Sequence, residues 1–324
     1  MSKRNRKGDD LILALDLGGT HFRLALADES GEVLSHYEDL TFAGKGPEQG
    51  IRRIVGAARE MLSGTDPGSL TGMGVAAAGL IDCEAGVLLT SPNMQSWYKS
   101  PLKEILEREL KMPVWVGNDA NLAALGEHMF GAGKDSDDII YLTVSTGIGG
   151  GVITGGELLS GSCGFAGELG HMTIDVNGPR CKCGNVGCLE VMASGTAIAR
   201  LAVERLEDGE ESAIADLVDG DLDRVTAEVV AGAAKSGDTL AKEVMQTAAT
   251  NLGVGVVNMV HIFNPELVII GGGVSKAGDL IFEPVRRVVA ERIMPDIEVR
   301  ILPAYLGDDS GLLGAVALVL RNTA

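Results

Sequence analysis

The chain has 324 residues, and 27 Lys+Arg against 45 Asp+Glu leave a formal charge of −18 at pH 7. That length allows two lobes with cores of their own and excludes a lone small module or a disulfide miniprotein. So acidic a surface repels phosphate backbones and anionic lipid, which argues against nucleic-acid and membrane partners. Aromatics are scarce at 4%, and the 45 glycines are about twice the usual share, which is about 7%.

In chain order, Leu11–Leu17 is an apolar strand that ends in Asp-Leu-Gly-Gly-Thr, and Phe22–Ala27 and Val33–Leu40 follow as strands separated by turn signals. Pro47 opens a helical segment in which Ile51, Ile54, Val55, Ala58, Met61 and Leu62 recur at helical spacing. A buried strand over Gly72–Ala78, a helix over Pro101–Leu110 and a short strand, Val114–Val116, lead into Gly117-Asn118-Asp119-Ala120-Asn121, which starts the helix Leu122–Phe130. The second half repeats this grammar. Ile139–Val144 enters a glycine turn, Gly151–Thr154 leaves it, and Leu267–Ile270 enters Gly271-Gly272-Gly273. Between them lie an irregular Gly/Cys segment, 155–190, and a long helical region from Gly195 to Met259. A helix over Gly311–Leu320 returns to the first lobe, so the expected lobes are 1–118 with 309–324, and 119–308.

The basic N-terminus, MSKRNRKGDD, has no apolar stretch behind it, so no signal peptide is expected. Residues 246–265 lack Asp, Glu, Lys and Arg, but three asparagines and His261 interrupt them, as in a buried core helix rather than a membrane span. Five cysteines, three of them within 181–188, make a poor disulfide framework. A reducing cytoplasm is the expected location.

Three glycine turns follow apolar strands: DLGGT at 16–20, STGIGGG at 145–151 and GGGVS at 271–275. Each is able to turn backbone N–H groups on an anion without Cβ interference, although a tight turn alone would explain any one of them. Neither a Walker A sequence nor GxGxxG is present, so phosphate would be gripped by amides, hydroxyls and a metal ion. Asp119, at a strand-to-helix junction, reads equally as a helix N-cap and as a carboxylate that accepts a proton from an attacking alcohol, with Asn118 to orient a hydroxyl. Glu168-Leu-Gly-His171 followed by Cys181-Lys-Cys183-Gly-Asn-Val-Gly-Cys188-Leu-Glu190 offers three thiolates and one imidazole, the ligand set of a closed structural zinc site. Such a site would fix the pose of His171, whose other ring nitrogen could join Glu168 and Glu190 around a polyhydroxylated ligand. Either carboxylate could instead be a surface charge. Trp97 and Trp115 read as packing residues, and the acidic stretch 204–223 as a solvated helical face.

DLGGTHFR, AAAGLID, GNDAN, STGIGGG, ELGH, CKCGNVGCLE and GGGVS, in this order from residue 16 to about residue 320, resemble the ROK family of sugar kinases and repressors, most of all its bacterial glucokinases. The resemblance implies an α/β, actin-like (ribonuclease H-like) ATPase fold of two lobes with an interlobe cleft. It implies a first phosphate loop of Asp16, Gly18, Gly19 and Thr20, and a second of Thr146, Gly147, Gly149 and Gly150, with Gly271, Gly272 and Gly273 near the adenosine of ATP. It implies that Gly79, Asn118, Asp119, Glu168, His171 and Glu190 hold the sugar, with Asp119 as general base, and that His171, Cys181, Cys183 and Cys188 hold structural Zn²⁺. The expected activity is ATP- and Mg²⁺-dependent phosphorylation of glucose at its 6-hydroxyl, in a homodimer or homotetramer. The alternatives are a kinase for N-acetylmannosamine, fructose or allose, with polyphosphate as another donor, and a non-catalytic sugar-sensing regulator. Against the regulator, the family's repressors carry a DNA-binding domain ahead of the first phosphate loop, whereas 15 residues precede Asp16 here.

Overall fold

The structure is a computed structural model that describes residues 10–323. The basic segment 1–9 lies outside the described residues. Two compact units divide the chain: unit 1 runs through Asp135 and adds Leu158–Ala166 and the residues from Asp308 onward, and unit 2 holds Ser136–Glu157 and Gly167–Gly307.

Unit 1 begins with strands β1 (Leu11–Leu17), β2 (His21–Ala27) and β3 (Val33–Leu40), then helix α1 (Pro47–Met61) and strand β4 (Leu70–Ala77). A hairpin of β5 (Leu80–Asp82) and β6 (Val87–Thr90) precedes helix α2 (Leu102–Leu110), strand β7 (Val114–Asn118) and helix α3 (Asp119–Phe130). The sheet runs β3-β2-β1-β4-β7, with β2 antiparallel to its neighbours and β1, β4 and β7 parallel. Central strand β1 is almost wholly buried, as expected of a parallel strand covered on both faces.

Unit 2 carries strands β8 (Ile139–Val144), β9 (Ile148–Thr154) and β10 (Glu157–Leu158), the last of which spans the boundary between the units. Helices α4 (Leu189–Ala193), α5 (Gly195–Glu207), α6 (Ala213–Leu217), α7 (Ala227–Lys235) and α8 (Thr239–Phe263) follow, then β11 (Leu267–Gly271), α9 (Asp279–Arg292) and β12 (Arg300–Pro303). The order β10-β9-β8-β11-β12 repeats that of the first sheet: an antiparallel hairpin on one side of the central strand and parallel strands on the other. The helical region expected as one stretch from 195 to 259 breaks into four helices because Ser194, Ser212, Thr226 and Asp238 each cap a new N-terminus with a side-chain oxygen. Helix α8 buries its apolar face, and none of the described helices is long and apolar enough to cross a membrane.

The final helix, α10 (Ser310–Thr323), belongs to unit 1. A Cβ on Gly314 would fall 1.9 Å from the Leu122 carbonyl oxygen, so glycine lets α10 lie directly on α3. This packing holds α3 in unit 1 and puts the passage between units at 135–136, against the 118–119 expected from the sequence. Trp97 is fully buried in the unit 1 core and Trp115 partly buried on β7, consistent with packing roles.

Candidate active site

In unit 1, the expected first phosphate loop is the turn from β1 to β2. Thr41, fully buried, donates its hydroxyl to the Gly18 carbonyl at 2.8 Å, and its N–H donates to the Thr20 carbonyl at 2.8 Å, so the loop is fixed from behind. Asp16 faces Arg23 across the β1–β2 ladder, and the Nε and Nη2 groups of Arg23 both donate to Asp16 Oδ2, Nε at 3.2 Å. Burial works against the charge of Arg23, yet the Asp16 carboxylate holds the guanidinium pKa above the usual arginine value. Asp309, at the start of the return to α10, stands 3.8 Å from the same guanidinium. Sequence reasoning missed Arg23; its placement opposite Asp16 in a two-strand register was the available signal.

Asn118 and Asp119 sit where β7 turns into α3. The cap is Asn118, whose Oδ1 accepts the Asn121 N–H at 3.0 Å, so capping does not account for Asp119. The Asn118 amide donates to the Gly79 carbonyl and to Asp119 Oδ1, both at 3.1 Å, and Ala120 N–H reaches the same Oδ1 at 2.9 Å. Two donors on one oxygen fix the carboxylate rotamer. Gly79 must be glycine: its φ is +132°, and a Cβ would fall 2.3 Å from the Thr90 carbonyl oxygen.

In unit 2, the turn from β8 to β9 is closed by Ser145 N–H on the Gly147 carbonyl at 2.9 Å, while Gly149 and Gly150 pair with Thr143 and Leu142. Gly272, at φ +83°, lies against the end of β8; a Cβ there would fall 2.5 Å from the Val144 carbonyl oxygen. Thr146 and Gly273 open onto a cavity of about 900 Å³. Its far wall, Val225, Thr226, Glu228, Ala231 and Lys235 with Lys276 at the rim, was not singled out in the sequence. Helix α7 supplies most of that wall, and a short amphipathic helix carries no mark in sequence that distinguishes a pocket wall from a surface. A cavity of this size falls within the range of small-ligand sites, about 300–1,000 Å³.

The ligand atoms of His171, Cys181, Cys183 and Cys188 all lie within 4.8 Å of one another. Cys183 and Cys188 Sγ are 3.7 Å apart, and Cys181 Sγ is 3.7 Å from His171 Nδ1. Sulfurs bound to tetrahedral zinc at about 2.3 Å stand about 3.8 Å from each other, so the donor set and its spacing fit the ion. Burial pushes the Cys188 thiol up to about 12 and raises Cys181, whereas the Asn185 N–H lowers Cys183. A cation among them would supply the field that ionises the buried pair.

With Nδ1 on the cysteine side, His171 turns Nε2 outward, 3.8 Å from Glu168 Oε2. Glu190 is half-buried and more committed than its expected role requires: Oε2 accepts the Ile148 N–H at 3.0 Å, and Cys181 Sγ is 3.9 Å from Oε1. It therefore ties the cysteine loop to the first residue of β9, next to the glycine turn.

The family model described as "ROK family" matches residues 12–322. This chain belongs to the ROK family. Among ROK relatives, a glucokinase from Thermotoga maritima is 39% identical over 310 residues, which cover 95% of this chain and 96% of the relative. A xylose repressor from Caldicellulosiruptor bescii is 34% identical over 316 residues, 96% of this chain and 78% of that one. Among solved structures, a ROK family glucokinase from Streptomyces griseus in complex with glucose and AMPPNP superposes with a TM-score of 0.83 at 35% identity, covering 96% of this chain and 99% of its own. The expected α/β fold of ROK proteins, two mixed sheets in two lobes, is the fold found. The expected cysteine–histidine cluster of the ROK zinc motif is assembled, and each ROK glycine turn sits at the end of a strand.

Proposed function

We propose that this ROK-family chain is an ATP- and Mg²⁺-dependent sugar kinase that phosphorylates the 6-hydroxyl of glucose. The observation that carries this is the pose of Asp119: a carboxylate at the N-terminus of α3, relieved of capping by Asn118 and locked by two donors on one oxygen. A carboxylate so held is preorganised to take a proton. In the reaction, Asp119 accepts the proton of the C6 hydroxyl as that oxygen forms its bond to the γ-phosphorus, the bond between the γ-phosphorus and the bridging oxygen breaks, and ADP leaves. Bound Mg²⁺ would neutralise charge on the transferring phosphoryl group, and Asp16 would hold it.

Unit 2 contributes the rest. The Thr146 and Gly147 amides and the Thr146 hydroxyl are assigned to phosphate, and the cavity beside Gly273 to the nucleoside. Glu168 and the outward Nε2 of His171 are assigned to sugar hydroxyls, with Glu190 contributing through its remaining capacity. If zinc holds Nδ1, Nε2 carries the proton and donates, which suits an oxygen acceptor. A cavity with an apolar lining from Val225, Ala231 and Met245 supports a nucleoside triphosphate over polyphosphate, which has no base to bury. The similarity to a xylose repressor favours a second reading, a sugar-binding regulator without turnover.

Asp119→Asn tests the assignment. Glucose binding by calorimetry should persist while kcat falls by about 10²- to 10⁴-fold; retained turnover sinks the base assignment, and a wild-type chain that binds sugar without releasing ADP supports the regulator.

A further inference from the structure

Glu127 is the one charged residue in the buried set of the described residues, with no exposed surface, and nothing in the phosphoryl transfer uses it. It lies on α3 about two turns beyond Asp119. Its Oε2 accepts the Ala132 N–H at 2.8 Å, and its Oε1 stands 3.4 Å from the Ser310 hydroxyl, itself buried. The Glu127 carbonyl also accepts the N–H groups of Gly131 at 3.1 Å and Gly133 at 2.9 Å. A Cβ on Gly131 would fall 2.1 Å from Oε2, so the turn after α3 closes directly over the carboxylate.

These partners share one property. Ala132 lies three residues before the chain first leaves unit 1 after Asp135, and Ser310 is the third residue of the last return, which begins at Asp308; the short return over Leu158–Ala166 lies between them. Beside them α10 touches α3, since a Cβ on Gly126 would fall 2.8 Å from the Ser310 carbonyl oxygen. A buried carboxylate is a poor means of stabilising a helix contact, because an apolar side chain of similar volume would avoid its desolvation. Hydrogen-bonding the backbone of one segment and a side chain of another at one point is something an apolar side chain cannot do. Segments that absorb conformational change in enzymes are a few loop or element-terminal residues, and 131–135 and 307–310 are of that kind.

We propose that Glu127 is a hinge pin: a positioning residue whose carboxylate fixes, at a single point of α3, both the segment by which the chain first leaves unit 1 and the segment by which it last returns. Its kinetic consequence rests on the sugar-kinase reading, since the conformational step that follows sugar binding would then be set at these two segments.

Hydrogen exchange on the full chain, without ligand, reads the pin directly. Glu127→Ala should speed exchange in both 130–136 and 307–311 by about 10- to 100-fold while the β1 and β4 amides are unchanged. In Glu127→Gln the amide oxygen still accepts from Ala132 and the NH₂ group is able to donate to the Ser310 hydroxyl, so exchange stays near wild type. In kinetics kcat and the glucose KM should shift together in the alanine variant and recover in the glutamine variant. Faster exchange in only one segment, or in neither, overturns the pin, as does a glutamine variant that behaves like alanine. Should Glu127→Ala not fold, Ser310→Ala decides: exchange must rise in 307–311 alone, and an unchanged rate there refutes the proposal. A wild-type chain without kinase activity removes the kinetic consequence but leaves the exchange result to decide the pin.

Discussion

The two sheets have the same strand order and the same mixture of hairpin and parallel pairing, yet the turns at equivalent places are built from opposite materials. In unit 1 the β1–β2 turn follows a carboxylate, Asp16, with the Arg23 guanidinium and Asp309 around it. In unit 2 the β8–β9 turn has Ser145, Thr146 and glycine, and its nearest charge, Glu190, is engaged by the Ile148 N–H. A repeated scaffold thus carries two carboxylates and a guanidinium at one turn, and hydroxyls and glycine with one engaged carboxylate at the other. Chemistry is divided in the same way. Unit 1 adds a positioned carboxylate on α3, and unit 2 adds the cysteine–histidine loop and a cavity walled by α7.

The sharpest way to break this contrast lies in unit 2. Metal analysis of the purified chain should find one zinc per chain, and Cys183→Ser should lose it; because a bound ion would fix His171, glucose affinity should then fall about 10- to 100-fold while the KM for MgATP is unchanged. A chain without zinc that binds glucose normally refutes the role given to the cluster. The next effect belongs to unit 1. Gly314→Ala places a methyl 1.9 Å from the Leu122 carbonyl oxygen, so it should cost about 3 kcal/mol or more in a denaturant melt, with unit 1 losing stability before unit 2. A smaller change should follow Arg23→Gln. With its Oδ2 partner gone, Asp16 is less well oriented, and the KM for MgATP should rise about 10-fold with the glucose KM unchanged; an equal rise in both would mean that Arg23 supports the fold, not the turn.

Much of this was legible in sequence because it is periodic or local. The alternation of apolar strand and glycine turn marks both sheets, and C-x-C with C-x₄-C after ELGH marks the cluster, whose four ligand atoms do converge. What could not be read depends on cross-chain contact. The β5–β6 hairpin, the return of 158–166 to unit 1 and the α7 wall of the cavity have no period of their own. Asp119 shows the limit of local reading most clearly. Its position suits an N-cap, but Asn118 one residue earlier takes the cap, and only the hydrogen bond from the Asn121 N–H distinguishes the two. Glu127 carries no mark of its own in sequence, because its buried partner Ser310 comes from α10, almost two hundred residues away along the chain.

The most direct test of the central claim is ADP release by the purified chain with MgATP across a panel of glucose, fructose, allose, N-acetylmannosamine and xylose, with glucose 6-phosphate formation followed when polyphosphate replaces ATP. The predicted result is glucose-dependent ADP formation in one-to-one ratio with glucose 6-phosphate, little turnover of xylose, which lacks the 6-hydroxymethyl group, and none with polyphosphate. Sugar binding without ADP release from any member of the panel would contradict it.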